Sequence, residues 1–409
     1  MKPFLYLIPA ALFLASCTSG SDDALLPETT STVYDASTDY QEELFPQGDG
    51  AAALSTTTAK AVWQILQKFD KSRALSMGET SITDAQFAEI KTFVDENLKA
   101  DNDYDTYSNI FSWIYKNMTY ASDGDAYLNP YDVFTKKRCI CQGYANLLKT
   151  MCLTQGIPCF IANGWLGTIG GHAWDYVYAG DKWIVSDPTN NQQYDAESYY
   201  NYQSKLIPQR LDLTLFEDDN FAYNYQDKAL NVETVKPTAN AYVVVPWSVE
   251  GLRVESFHPS SAMPSNVTQL YIGKNIASFG SEPSSLSTQT AHLAEVFVDP
   301  ASAKLSSYKG VVYKGKSGTT PYYIPTAIQR IELRAMKTMD KNVITNLNNL
   351  EELVVAEGTQ RIEAYAVENC PKLKKAYIPE SVTYVDSKAF YRCGTVEIVR
   401  TTTGIKEVK

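Results

Sequence analysis

Three short motifs within residues 138–187 decide what the first half of the chain can be. The segment CQGYA occupies positions 141–145, GHAW occupies 171–174 and WIVSDPT occupies 183–189. In that order they supply a thiol, an imidazole and a carboxylate, from Cys141, His172 and Asp187. A nucleophile, a base that holds its proton and an acid that orients the base are the parts of a catalytic triad. The motifs therefore predict a thiol active site.

The thiol of Cys141 is expected in the first turn of a helix. Residues 141–154 (CQGYANLLKTMCLT) carry apolar side chains at helical spacing. Unpaired N–H groups and the positive end of the helix dipole favour a thiolate at that position. The competing interpretation is an inert buried cysteine and a core histidine, which is the commoner role of each residue taken singly. No other histidine precedes His172, so the base has no rival of its type.

The imidazole and the carboxylate are expected at one end of a β-hairpin. Residues 172–178 (HAWDYVY) and 182–185 (KWIV) alternate like strands around the turn 179–181, and residues 157–162 (IPCFIA) form a strand before them. Pairing around that turn brings His172 and Asp187 to the same end of the ribbon. Neighbouring strands lie about 5 Å apart, so the two side chains meet if they share a face.

Helices are expected ahead of these motifs. Segments 57–69, 83–98 and 104–117 have helical periodicity, and Thr83 with Gln86 forms a capping box. The tyrosine-rich segment 192–235 is expected to wrap the domain. Its rings suit either a wet binding groove or solvated sheet faces.

The motifs CQGYA, HAW and W-x-x-x-DPT, preceded by residues 110–120 (IFSWIYKNMTY), resemble the transglutaminase-like family of papain-like thiol enzymes. The resemblance implies an α+β fold with helices packed on an antiparallel sheet. It also implies Cys141 as nucleophile, His172 as base and acid, and Asp187 as orienting carboxylate. Tyr120 is implied near the oxyanion, where the backbone N–H of Cys141 is the other expected donor. Asn190 and Asp175 depart from the family pattern, and both departures are expected to affect the pocket rather than the triad.

The first 55 residues are expected to direct and tether the protein. Residues 4–15 are apolar and are followed by Leu14-Ala15-Ser16-Cys17. This resembles a bacterial lipobox within a signal peptide, 1–17, and implies acylation of Cys17; the alternative is an ordinary signal with an incidental cysteine. Acyl chains would hold the protein to the outer membrane, with the cell surface as the further candidate, without a spanning segment. Residues 18–55 are polar and are expected to form a flexible tether.

A repeat begins near residue 241. Residues 350–355 match 373–378 at an offset of 23 residues, and the same offset relates Cys370 to Cys393. Irregular units start at 267 and 293, so the pattern predicts a leucine-rich solenoid with one short strand per unit. The repeats resemble the BspA-like type, and residues 298–325 resemble the hairpin insertion of that family. The two cysteines are expected to be stacked core thiols.

The chain of 409 residues with a net charge of −11 suits two globular domains and argues against nucleic acid as a partner. The expected boundaries are 56–238 for the transglutaminase-like domain and 239–409 for the repeats. Cysteines other than Cys17 are expected to be mostly reduced, with a Cys139–Cys159 bridge left open. No cofactor and no metal are predicted. The acidic residues near position 103 are better explained as a solvated helix start than as a calcium site; they are Asp101, Asp103 and Asp105.

The expected reaction is attack by Cys141 on a carboxamide or peptide carbonyl to give a thioester. Water as acceptor would make the protein a peptidase or amidase, and a lysine amine would make it a transglutaminase. The expected partner is a protein or peptide, with cell-wall material and host surface proteins as candidates; the oligomeric state is left open. The alternative, from another class, is a non-catalytic adhesion protein with an inactive transglutaminase-like domain.

Overall fold

The structure, a computed structural model, describes residues 51–122, 124–201, 205–279 and 289–401. The predicted signal peptide, its lipobox at Cys17 and most of the tether lie outside the described residues. The helices of the described part are α1 (Thr58–Leu66), α2 (Ser72–Ser76), α3 (Asp84–Asn97), α4 (Asp103–Asn117), α5 (Pro130–Lys136), α6 (Cys141–Thr154) and α7 (Ala196–Asn201).

The helices predicted from periodicity are confirmed, and their ends have local causes. Helix α3 starts at a capping box in which the Thr83 side chain accepts from the Gln86 N–H and the Gln86 side chain accepts from the Thr83 N–H. Helix α4 starts at Asn102, whose side chain accepts from the Asp105 N–H. The acidic residues around position 103 therefore belong to a capped helix start.

The first region also contains a large sheet and a short ladder. The ladder is formed by β1 (Thr119–Tyr120) and β2 (Arg138–Cys139), which pair in parallel. The sheet strands are β3 (Cys159–Leu166), β4 (Gly170–Ala179), β5 (Lys182–Asp187), β6 (Gln192–Asp195), β7 (Leu206–Leu211), β8 (Phe216–Glu217), β9 (Phe221–Gln226) and β10 (Ala229–Val235).

The sheet order from one edge is β6-β5-β4-β3-β7-β9-β10, with every pairing in this run antiparallel, and β8 pairs with β9. Beyond β10 the same sheet continues in parallel with β14 (Ser256–Phe257) and β16 (Ser278–Phe279). The predicted α+β fold is therefore present, but the sheet is not antiparallel throughout, because β14 and β16 at its far edge pair in parallel. One hydrophobic core runs across the junction, from Phe160 in β3 to Phe257 and Phe279. The boundary at 238 remains a prediction.

Helix α6 is buried against this sheet because its apolar face is continuous. Leu147, Leu148 and Met151 are fully buried, in one cluster with Val177 of β4 and Cys159 of β3. Each fully buried aliphatic side chain of this kind stabilises the fold by about 1.5–3 kcal/mol. Helices α3 and α4 contribute to the same cluster, so α6 lies between helices and sheet.

Most strands of the second region stack in parallel ladders. The first of these ladders contains β11 (Tyr242–Val245), β15 (Gln269–Ile272) and β17 (Glu295–Val298). Between β11 and β15, β12 (Ser248–Val249) and β13 (Leu252–Arg253) pair antiparallel. An antiparallel insertion follows, β18 (Leu305–Tyr308), β19 (Val311–Lys314) and β20 (Pro321–Tyr323), inside the predicted hairpin segment 298–325. The regular coils contain β21 (Arg330–Glu332), β22 (Thr338–Met339), β23 (Ile344–Thr345), β24 (Glu352–Val354), β25 (Arg361–Ile362), β26 (Val367–Glu368), β27 (Lys375–Pro379), β28 (Tyr384–Val385), β29 (Phe390–Tyr391) and β30 (Glu397–Thr401).

Each regular coil contributes three short strands, not the one predicted. The ladders are β21-β24-β27-β30, β22-β25-β28 and β23-β26-β29. The predicted alignment is confirmed by the register, since Ile331 pairs with Leu353 and Leu353 with Ala376. All three side chains are fully buried in one hydrophobic cluster. Cys370 and Cys393 belong to the same cluster and are 0% and 1% exposed. The two-residue strands were missed because a strand so short leaves no alternation to detect.

The last residues of the predicted tether are packed in the structure. Ala51 and Leu54 are buried, and the Ala52 N–H donates to the Gly251 carbonyl. The chain therefore enters the first domain along the start of the repeat region. Within the described residues, no helix is long and apolar enough to span a bilayer.

Candidate active site

Helix α6 presents Cys141 at its first position. Ile140 precedes it in an extended conformation, and its carbonyl accepts from the N–H groups of Gly143 and Tyr144. A Cβ built on Gly143 would lie 2.4 Å from Cys139 Cβ and 2.7 Å from the Tyr127 carbonyl oxygen. Only glycine allows this close approach, which explains the third position of the CQG motif. The sulfur-bearing turn is thus held against β2 and the loop before α5.

The hairpin β4–β5 brings His172 and Asp187 together. Gly180 and Asp181 form its two-residue turn, each with φ 59°, as a type I′ connection requires. The resulting register places the start of β4 beside the end of β5. His172 Nε2 lies 2.8 Å from Asp187 Oδ2, and the two side chains are 7% and 0% exposed. This bond fixes the ring and leaves Nδ1 as the nitrogen available to the thiol.

Cys141 lies against the other side of the imidazole. It packs on Ile161 and Ala173. Burial disfavours the thiolate, but hydrogen bonding from the His172 ring and the Ala173 N–H to the thiolate outweighs burial and holds the pKa of Cys141 below its ordinary value of 9.0. The three groups predicted from sequence therefore converge at one end of the sheet.

The imidazole is shifted in the complementary direction. Burial disfavours the imidazolium, yet the hydrogen bonds and charges of Asp187 and Cys141 outweigh it and raise the pKa of His172 to about 9. A lowered thiol pKa beside a raised imidazole pKa favours the thiolate–imidazolium pair over the neutral pair. In that pair the sulfur is nucleophilic and the ring holds a proton for the leaving group.

The carboxylate of Asp187 is held by its own turn. Oδ1 accepts from the N–H groups of Thr189, at 3.1 Å, and Asn190, at 3.3 Å. The Asn190 side chain donates from Nδ2 to Oδ2 at 2.8 Å and lies 3.4 Å from His172 Nε2. Asn190 was expected to affect the pocket, but its amide hydrogen-bonds to the carboxylate of Asp187. The sequence signal was present, since an Asp followed by a tight turn bonds the backbone N–H groups two and three residues on.

Asp175 lies in the core and away from solvent. It is fully buried in β4, and Cys159 Sγ donates to its Oδ1 at 3.6 Å. Burial raises the pKa of the Asp175 carboxyl well above its usual range. This side chain is therefore part of the packing between α6 and the sheet.

Tyr120 lies beside the thiol but is half exposed, at 51%. The β1–β2 ladder pairs it with Cys139, and its ring stacks on Tyr144 with centroids 6.4 Å apart. Burial and the nearby thiols of Cys141 and Cys139 raise the pKa of Tyr120, so its hydroxyl remains a donor. Its position is compatible with the predicted contact to an oxyanion.

The neighbouring cysteines differ sharply from Cys141. All six described cysteines are free thiols, including Cys139 and Cys159, between which a bridge was left open. Cys139 is fully buried, and burial together with Cys141 raises its pKa to about 12. Cys141 is therefore the ionisable thiol of the pair at the helix start. Among the described side chains, no group of three or more His, Cys, Asp and Glu is placed to hold a metal ion.

Comparison with known proteins gives a family to each region. Residues 91–188 match the transglutaminase-like superfamily core, and residues 322–408 match the BspA-type leucine-rich repeat region, with six copies. No curated protein matches the chain.

Solved structures with matching segments include proteins of both kinds. A candidate cysteine protease from Cytophaga hutchinsonii shares 25% identity over 31% of this chain and 43% of its own, with a TM-score of 0.24. LapG of Legionella pneumophila shares 14% sequence identity, and the match covers 40% of this chain and 88% of LapG, with a TM-score of 0.27. A leucine-rich cell surface protein from Faecalibacterium prausnitzii shares 16% sequence identity, and the match covers 40% of this chain and 60% of that protein, with a TM-score of 0.19. The chain thus spans less than half of the first of these structures. The family matches show that this protein contains a transglutaminase-like core domain and BspA-type leucine-rich repeats.

Proposed function

We propose that the protein is a thiol acyl-transfer enzyme that acts on a peptide or glutamine carboxamide. The observation that supports this best is the arrangement of Cys141, His172 and Asp187, in which the thiol pKa is lowered and the imidazole pKa raised to about 9. An inert core cysteine would show the opposite shift, as Cys139 does. Membership of the first region in a thiol-enzyme superfamily supports the same conclusion.

In the proposed first half-reaction the Cys141 thiolate attacks the substrate carbonyl carbon and forms a C–S bond. The carbonyl oxygen becomes an oxyanion, which the Cys141 N–H at the start of α6 is placed to stabilise, with the Tyr120 hydroxyl as second donor. The His172 imidazolium then gives its proton to the leaving nitrogen as the C–N bond breaks. Ammonia or an amine departs, and a thioester remains on Cys141.

In the second half-reaction neutral His172 removes a proton from the acceptor, which attacks the thioester carbonyl. Water regenerates the thiol and gives an acid, so the enzyme is an amidase or peptidase. A lysine amine gives an isopeptide, so the enzyme is a transglutaminase. The carboxylate of Asp187 keeps the ring oriented in both steps.

The repeat region is proposed to recruit the substrate, a protein or peptide at the cell wall or on a host surface. Anchoring at the outer membrane through Cys17 is part of this proposal and would place both regions outside the cytoplasm. These assignments follow from the sequence motifs.

A peptide assay tests the proposed reaction. The purified protein is incubated with a glutamine-containing peptide, with and without a fluorescent primary amine, and the products are identified by mass spectrometry. Cys141→Ala should abolish every product, whereas Cys139→Ser, which removes the neighbouring buried thiol, should retain most activity if it folds. Hydrolysis shows as a gain of acid and transfer as incorporation of the amine.

A thioester trap makes the test independent of the substrate. A thiol-directed acyl probe should give a single adduct on Cys141 in the intact protein. Equal labelling of the wild type and Cys141→Ala would leave the non-catalytic adhesion protein as the better description.

A further inference from the structure

A fourth polar side chain contacts the triad. Asn190 follows the Asp187-Pro188-Thr189 segment, and its Nδ2 donates to Asp187 Oδ2, the same oxygen that faces His172 Nε2. Its backbone N–H donates to Asp187 Oδ1. Asn190 therefore contacts both oxygens of the carboxylate, and its amide nitrogen is also 3.4 Å from the imidazole.

We propose that Asn190 is a positioning residue that shares Asp187 Oδ2 with His172 and thereby limits how strongly the carboxylate holds the imidazolium proton. This inference rests on the proposed function, because it assigns the residue a role in the same reaction. It goes beyond the three-residue triad that the motifs predicted.

The hydrogen-bond inventory of the carboxylate supports the role. The described donors to Asp187 are the Thr189 and Asn190 N–H groups on Oδ1, and His172 Nε2 and Asn190 Nδ2 on Oδ2. Each donor stabilises the negative charge and makes the carboxylate a weaker partner for any one of the others. With two donors on one oxygen, the imidazolium is held less tightly than it would be by an unshared Asp187.

The chemical need is a histidine that holds its proton and can also release it. A general acid is most effective when its pKa lies near the working pH. The titratable groups that act on His172 are Asp187 from β5 and Cys141 from α6, and both favour the charged ring. Trp174 stacks on the ring with centroids 6.1 Å apart and carries no charge. Asn190 is thus placed to oppose an excessive rise in the pKa of His172, because it donates to Oδ2, the Asp187 atom that faces the imidazole.

The test uses Asn190→Leu, which keeps the bulk and removes the donor, and Asn190→Asp, which replaces the donor by a negative charge. The side chain of Asn190 is exposed, so neither change empties a core site. The matched control is Gln193→Leu, an exposed position on the adjacent strand β6. Thermal unfolding of all variants checks that the fold is retained.

The readout is the pKa of His172, measured by NMR titration of 13C-labelled histidine rings in the full chain and assigned with His172→Gln. We expect the pKa to rise by about half a unit in Asn190→Leu and by about one unit in Asn190→Asp, because a lost donor and an added charge both favour the imidazolium. Gln193→Leu should leave it unchanged. An unchanged or lowered pKa in both Asn190 variants would overturn the proposal.

The measurement needs no substrate, so it separates this inference from the proposed reaction. If the wild type turns over no peptide but the His172 pKa shifts as expected in the Asn190 variants, the proposed function is wrong and the sharing of Asp187 Oδ2 stands. Full peptide turnover with unmoved pKa values would keep the function and reduce Asn190 to a residue of the turn.

Discussion

Replacing Asp187 by Asn removes the charge behind His172 while leaving the size of the side chain nearly unchanged. The carboxylate is fully buried and its Oδ2 lies 2.8 Å from His172 Nε2. Burial alone lowers the pKa of the ring, so the raised value depends on Asp187 and Cys141. We therefore expect Asp187→Asn to lose the imidazolium at a lower pH than the wild type.

The size of the effect follows from the two pKa values. His172 rises from an ordinary 6.5 to about 9, a difference of about 3 kcal/mol shared between Asp187 and Cys141. If Asp187 supplies most of it, the variant ring should titrate at about 7 or below, because burial is then less opposed. At pH 8 the imidazolium fraction is then about nine-tenths in the wild type and about one-tenth in the variant. The rate of Cys141 alkylation at pH 8 should therefore fall about tenfold through the change in protonation alone.

The assay is the rate of Cys141 alkylation by iodoacetate between pH 5 and 10. The anionic reagent is attracted by the imidazolium, so the rate should fall on the alkaline side as His172 loses its proton. In the wild type this fall should centre near pH 9, and in Asp187→Asn it should move down by about two units. Asp195→Asn removes a partly exposed carboxylate, paired with Lys182, from the adjacent strand β6 and should leave the pH of this fall unchanged.

The dependence on pH distinguishes charge from geometry. A loss of orientation alone would lower the rate by the same factor at pH 6 and pH 8, whereas loss of the charge should cost more at pH 8. An alkaline fall that stays near pH 9 in Asp187→Asn would refute the assignment of Asp187 as the group that raises the pKa of His172.

Three further perturbations test the rest of the structure. Limiting iodoacetamide at pH 7.5 should modify Cys141 before Cys139 in peptide mass maps, since the pKa of Cys139 is raised to about 12; modification of both at similar rates would contradict its burial. Gly143→Ala places a methyl group 2.4 Å from Cys139 Cβ, so the turn must shift, and we expect slower alkylation of Cys141 and a lower midpoint in urea. Lys149→Ala, at a partly exposed position of the same helix, is the control and should change neither quantity by a comparable amount. Leu353→Ala removes a fully buried side chain between Ile331 and Ala376 and should lower the free energy of unfolding, measured by urea titration, by about 2–5 kcal/mol. The control is Ile398→Ala, at a half-exposed position on β30. Equal losses of stability in the two variants would argue against the stacked core.

Local patterns along the chain determine much of this protein. Helix α6 begins at Cys141 and ends at Thr154, as its apolar spacing predicts. The capping box at Thr83 and the turn at Gly180-Asp181 are also encoded locally, because each depends on residues within a few positions of one another. The offset of 23 residues predicts the register of the coils, since stacked repeats place equivalent side chains in one core.

Other features depend on groups that are far apart along the chain. The contact of Cys141 with His172 needs α6 to pack on the sheet. The shifts of both pKa values follow from hydrogen bonds and charges that outweigh burial, and no motif encodes that balance. Cys139 and Cys141 are two residues apart and alike in sequence, yet one is sealed in the core and the other faces the imidazole.

The sheet that crosses from β10 into β14, the three strands of each regular coil and the hydrogen bond from the Asn190 amide to Asp187 likewise appear only in three dimensions. Chain neighbours determine the conformation of a segment, so periodicity and turn residues can be read in one dimension. The distances, desolvation and shared hydrogen bonds that set the chemistry of a side chain arise only when segments distant in sequence are packed together.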